Sequence, residues 1–129
     1  MNSSITEIPC TLNKFFKYWL QFTAPLHKLQ NKDIEVLSYI LKKRYELSKI
    51  IIDDSVVDSY LFSKEIRDQI LEESGESRSN FQVTLSKLRK RNVISPDGKI
   101  NKRFIPDLVE TNTELRFELM VAFNINDSK

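Results

Sequence analysis

Between Ser77 and Arg103 the side chains able to make directional or charged contacts stand close together. Arg78, Ser79, Asn80, Gln82 and Thr84 come first, Lys87, Arg89, Lys90 and Arg91 follow, and Lys99, Lys102 and Arg103 complete the stretch. A carboxamide sets a donor beside an acceptor, the pair that adenine presents in the major groove, and a guanidinium meets guanine in the same bidentate way. Ser79 and Thr84 suit a phosphate oxygen or a thymine methyl. The lysines and remaining arginines suit phosphates, which hold a protein on a duplex without reading sequence. Only Asp97 opposes these cations, whereas residues 46–76 carry nine acids against Lys49, Lys64 and Arg67. A formal net charge of +2 therefore hides a segment that would attract a polyanion. The plainer reading is a solvated helix face, with Arg89 to Arg91 complementing the dipole at a helix C-terminus.

Other chemistries lack their residues. Cys10 and His27 are single, so neither an internal disulfide nor a Cys/His metal site is available. His27, beside Pro25 and Leu26, is not read as a ligand. Two glycines cannot make a Gly-rich phosphate loop, and no nucleophile stands with a base and an orienting group. The pairs Asp53-Asp54 and Glu72-Glu73 lie in polar surroundings where no raised pKa is expected. The sequence thus predicts no catalytic, cofactor-binding or metal residues and no small-molecule substrate.

The elements that position the basic stretch follow from periodicity and capping. Thr11 or Asn13 caps a helix running to about Phe22, which Pro25 stops. Its aromatics Phe15, Phe16, Trp19 and Phe22 exceed one core face and read either as core or as a partner surface. Asn31 caps a helix from Lys32 to about Ser48, with Ile34, Leu37, Leu41 and Tyr45 at helical spacing. Residues 49–61 are ambiguous, and Tyr60, Leu61 and Phe62 suggest a short strand. Ser63 opens the next helix with Ile66, Ile70 and Leu71 inward, and Gly75 suits its C-terminus. Ser77 or Ser79 starts another, with Phe81, Leu85 and Leu88 inward and Arg78, Asn80, Gln82, Thr84, Lys87, Arg89 and Arg91 outward. Pro96-Asp97-Gly98 signals a turn between Val93-Ile94 and a strand from Lys99 to Ile105, ended by Pro106. From Leu115 to Phe123 apolar and polar residues alternate, as in a half-buried strand.

Taken in that order, the chain resembles the winged helix-turn-helix superfamily over roughly residues 31–123. The residues that carry the resemblance are Ser63, Ile66, Gly75, the pair Leu85 and Leu88, the run Arg89 to Arg91, and Val93-Ile94. The resemblance implies an α+β, mainly helical fold: a winged helix-turn-helix with an extra N-terminal helix and a C-terminal β-strand. It implies double-stranded DNA as partner, helix 77–91 as reader with its first turns in the major groove, and residues 93–105 as wing. Five or six phosphate contacts would give a log-log salt slope of about −5. Two departures stand out: residues 64–76 run about one turn longer than in the tightest bacterial repressors, and Asn92 stands where glycine is common. No subfamily is identified, because many unrelated functions share this architecture. The expected role is a transcriptional or replication regulator. The alternative is a structural or protein-interaction subunit, such as a phage virion connector or ring component, with residues 11–29 joining a homodimer or higher oligomer.

A chain of 129 residues with 40% apolar content suits one folded domain over residues 11–125, a flexible N-terminus over 1–10 and a tail over 126–129. No signal peptide or membrane span is read, which suggests a cytoplasmic protein, in the host cytoplasm or virion if phage-encoded. Frequent Asn, Lys, Ile and Ser hint at an AT-rich genome of a phage or low-GC bacterium.

Overall fold

The computed structural model describes residues 11–106, 108–110 and 115–117. These residues are mainly helical, with six α-helices: α1 (Leu12–Phe22), α2 (Ala24–His27), α3 (Asn31–Ser48), α4 (Asp54–Leu61), α5 (Lys64–Ser74) and α6 (Arg78–Lys90). A single 3-10 turn covers Lys102–Phe104. The backbones of β1 (Leu108–Glu110) and β2 (Leu115–Phe117) pair antiparallel, Val109 opposite Arg116. The rest of the strand expected to Phe123, the N-terminal residues 1–10 and the tail 126–129 lie outside the described residues.

The core surrounds α3. Ile34, Val36, Leu37, Ile40 and Leu41 are all buried, too many for one narrow stripe, and α1, α4, α5 and α6 lie against them. Phe16 and Leu20 come from α1, Val57 and Leu61 from α4, Ile66 and Ile70 from α5, and Phe81, Leu85 and Leu88 from α6. Each such side chain contributes about 1.5–3 kcal/mol by leaving water. No described helix is long and apolar enough to cross a membrane.

Local signals set most helix ends. Thr11, Asp53, Ser63 and Ser77 each accept a backbone N–H of the turn they open, and Gly75 closes α5 at φ 74°. After α6, Asn92 takes φ 60°, the Val93 N–H reaches the Leu88 carbonyl at 2.9 Å and the Asn92 N–H reaches Arg89 at 3.2 Å. That is a Schellman close with Val93 packed on the core, and Asn tolerates the left-handed conformation there.

Several boundaries differ from the sequence reading. The strand expected at Tyr60–Phe62 is the end of helix α4: Asp53 caps it, and Val57 and Leu61, one turn apart, bury together. The preceding β-branched run forms a turn and an irregular link rather than a strand, and leaves Ile52 99% exposed. Gln30, not Asn31, occupies the N-cap of α3. Pro25 sits in the first turn of α2, and Thr23 closes α1. The strand expected over Lys99–Ile105 shrinks to one bridge, Ile94 with Ile100. Beyond it the Asn101 side chain accepts the Arg103 N–H at 3.2 Å and turns the chain into the 3-10 segment. That turn carries Phe104 into the core against the His27 ring, 5.8 Å between centroids.

Candidate nucleic-acid interface

Helix α6 owes its orientation to its apolar face and one buried carboxylate. Phe81, Leu85 and Leu88 face α3 and its neighbours, and Thr84 lies with them at 2% exposure. Thr84 is therefore not an outward contact residue, which corrects the sequence reading. Its position, three after Phe81 and four before Leu88, falls on the inner stripe. Its Oγ1 donates to Asp33 Oδ1 at 3.1 Å, and Lys87 Nζ donates to Asp33 Oδ2 at 3.4 Å. Asp33 is 3% exposed and stands in the first turn of α3, where the helix dipole favours a carboxylate. Lys87 keeps its side chain 46% exposed, so it holds the fold and still presents charge outward.

The outward face of α6 comprises Arg78, Ser79, Asn80, Gln82, Val83, Ser86, Lys87, Arg89 and Lys90, all exposed, and Arg91 continues it at the C-cap. Val83, 55% exposed in mid-face, was missed by a reading that sought polar groups, and it has the apolar chemistry that meets a thymine methyl. At the first turn Arg78 Nη2 donates to Asp68 Oδ1 of α5 at 3.3 Å, a pair exposed on both sides and so worth little. Between α5 and α6 a cleft of about 250 Å³ is lined by Arg67, Arg78, Ser79, Phe81 and Gln82. Arg67 entered no sequence-level site, because only the packing of α5 beside α6 turns it toward this cleft.

The other predicted basic residues divide. Arg89, Lys90 and Arg91 remain exposed, and Arg89 lies beside the Ser95–Gly98 turn. That turn is closed by the Gly98 N–H on the Ser95 carbonyl at 2.9 Å, and the Ser95 hydroxyl donates to Asp97. The Ser95 hydrogen bond, first, and then Lys99 hold the Asp97 carboxyl below its ordinary value. Lys99 Nζ donates to Ser55 Oγ of α4 at 3.3 Å. Lys102 and Arg103 are exposed on the 3-10 turn, where Arg103 lies over the Phe104 ring at 5.3 Å. They belong with the α1 side rather than with a strand paired to Ile94.

Two acids at the end of α5 and just beyond it pair with lysines of α3. Glu73 meets Lys43 at 3.1 Å and Lys42 at 3.9 Å, and Glu76 meets Lys32 at 4.0 Å. Glu65 accepts the Tyr60 hydroxyl at 3.1 Å, which raises the tyrosine pKa.

The aromatic helix α1 turns one side to the core, so the four residues offered as a partner surface divide. Phe16 is 2% exposed, Phe15 packs partly buried beside it, and Trp19 Nε1 donates to the Phe104 carbonyl at 2.8 Å. Phe22, 61% exposed, is the one predicted partner residue that faces out, alongside Tyr18 and Leu26, which the sequence reading did not select. His27 is buried, its Nε2 donating to the Leu20 carbonyl at 2.8 Å and its Nδ1 accepting the Leu29 N–H at 3.0 Å. Both ring nitrogens are thus engaged in holding α2 against α1. Among the described residues no group of three or more His, Cys, Asp or Glu could hold a metal ion.

No family model matches the sequence, and neither a curated protein nor a solved structure resembles it closely enough to count as a match.

Proposed function

We propose that this chain is a small double-stranded DNA-binding protein of winged helix-turn-helix type, with α6 as reader and the Ile94–Ile100 turn as an abbreviated wing. One observation carries the reading. The exposed face of α6 runs from Ser77 to the Arg91 cap with five cations and no carboxylate. Asn80 and Gln82 lie in its first turns, where a reader helix meets base edges, and Arg89, Lys90 and Arg91 lie where phosphates would pass. The lysine pairing of Glu73 and Glu76 offsets part of the repulsion that an acidic α5 would offer a phosphate backbone.

The test is fluorescence anisotropy with a random duplex of about 30 base pairs at low and moderate salt, run for wild type and for Lys87, Arg89 and Lys90 to Ala together. Wild type binds in the micromolar range and weakens steeply with salt. The triple variant loses about two to three units of log-log salt slope, because each phosphate contact accounts for roughly 0.9. Arg78, Asn80 and Gln82 to Ala instead lose discrimination between sites while keeping non-specific binding. Absence of binding at tens of micromolar protein in low salt rejects the assignment.

A second reading has its own observation. Tyr18, Phe22 and Leu26 are exposed on a stretch, residues 12–30, that holds Lys14, Lys17 and Lys28 and no acid, and Ile50 and Ile52 are exposed elsewhere. Such apolar exposure suits a protein contact, as in a homo-oligomer or a virion ring or connector subunit. Higher assembly in solution without duplex binding would favour it.

A further inference from the structure

We infer that the cleft between α5 and α6 is a phosphate-binding site in which Arg67 is the fixed ligand and Arg78 the mobile one. Arg67 follows the buried Ile66 on α5 and is itself partly buried. Its Nε is shielded from solvent and has no hydrogen-bond partner, and no carboxylate pairs with Arg67 among the described residues. An Nε–H held this way has given up water without gaining an acceptor, which is costly unless a ligand supplies one to the guanidinium.

The surroundings fit a tetrahedral oxyanion. Arg67, Arg78, Ser79 and Gln82 line the cleft, and the Phe81 ring walls it. Arg78 is 68% exposed and leans on Asp68 at 3.3 Å, a contact weak enough to exchange for a dianion. Two guanidinium groups, a hydroxyl and a carboxamide can share the oxygens of one phosphate through charge-assisted hydrogen bonds. The first turn of α6 also directs its positive dipole end toward this region. The plainer role for Arg67, a long stem packed along the wall it shares with Phe81, would account for its partial burial and leave its Nε without a partner.

The same chemistry has two sources, a phosphate of the DNA backbone or a free anion. The DNA source rests on the reading of α6 proposed above. If it holds, Arg67 clamps the backbone where the reader helix enters the groove and sets its register, a role apart from Lys87, Arg89 and Lys90.

The experiment compares wild type, Arg67→Met and Arg67→Lys in the full chain. Met keeps an unbranched apolar stem without the charge, and Lys returns the charge without the fork. Inorganic phosphate is titrated while the Arg67 Nε–H and the Ser79 and Gln82 amides are followed by NMR, and duplex DNA is titrated by anisotropy. Phosphate is expected to shift those resonances with a millimolar midpoint in wild type and to lose that effect in Arg67→Met. Duplex affinity falls about tenfold in Arg67→Met with about one unit less salt slope, and Arg67→Lys recovers part of both. Phosphate shifts with unchanged duplex affinity assign the cleft to a free anion. Phosphate shifts in a wild-type chain that binds no duplex reject the DNA reading and leave the cleft standing. No phosphate shift, with duplex affinity equal in all three folded proteins, overturns the site. Thermal unfolding of each variant separates these outcomes from loss of structure.

Discussion

Helix α3 holds two of its neighbours through buried charged residues, and the two contacts are built differently. Toward α4, Arg44 Nε donates to Asp58 Oδ1 at 2.9 Å, with the side chains 10% and 6% exposed. Toward α6, Asp33 takes Thr84 and Lys87, and the lysine remains nearly half exposed. The first contact is closed, since both charges have left water and each depends on the other. The second is open on one side, so its cation remains hydrated and can turn to a second anion. A closed pair suits a support helix. An open one suits a helix whose outer face has to carry charge.

Breaking each contact should reveal that difference. Asp58→Ala leaves Arg44 buried without its anion, and we expect a loss of about 3–5 kcal/mol in chemical denaturation. A loss under about 1 kcal/mol would mean that water reaches Arg44 and that the pair is not closed. Asp33→Asn keeps an acceptor for Thr84 and removes only the charge facing Lys87. The expected cost is about 1–2 kcal/mol, while duplex binding at low salt is retained or tightened because Lys87 is released. Stability and binding falling together would show that Asp33 orients the reader face rather than restraining one of its cations. The smallest effect belongs to an exposed contact. Ser95→Ala removes the leading cause of the lowered Asp97 pKa, so its NMR titration should move up toward 3.8. With the folded value depressed, the turn's contribution is present above the unfolded pKa and is lost as pH falls through the lower folded value. Ser95→Ala should therefore lose that small contribution at neutral pH, and its difference from wild type should fade as pH falls through the folded value.

The helical segments were legible wherever the signal was local. Ser63 and Ser77 cap within three residues, Gly75 answers a single φ, and Phe81, Leu85 and Leu88 repeat at helical spacing. Thr84 was misread for its hydroxyl, although its spacing from Phe81 and Leu88 already placed it inside. Tyr60–Phe62 was misread from side-chain preference, which the Asp53 cap and the Val57–Leu61 spacing outweigh. The strand from Lys99 was lost to a different cause, because Phe104 gains more by reaching His27 and the core than Ile105 would by continuing a ladder.

Sequence alone determined that α1, α3, α5 and α6 are helices, which residues of α6 are apolar, and that its polar residues are mostly basic, amide or hydroxyl in type. These are matters of neighbours within one or two turns, where backbone hydrogen bonding and periodicity act without the rest of the chain. Tertiary structure alone decided that Asp33 meets Thr84 across 51 residues, that Trp19 is tied to Phe104 across 85, and that Arg67 turns into a cleft beside Arg78. Each of those depends on how helices pack around α3, and a residue's type does not say which distant side chain packing will bring to it.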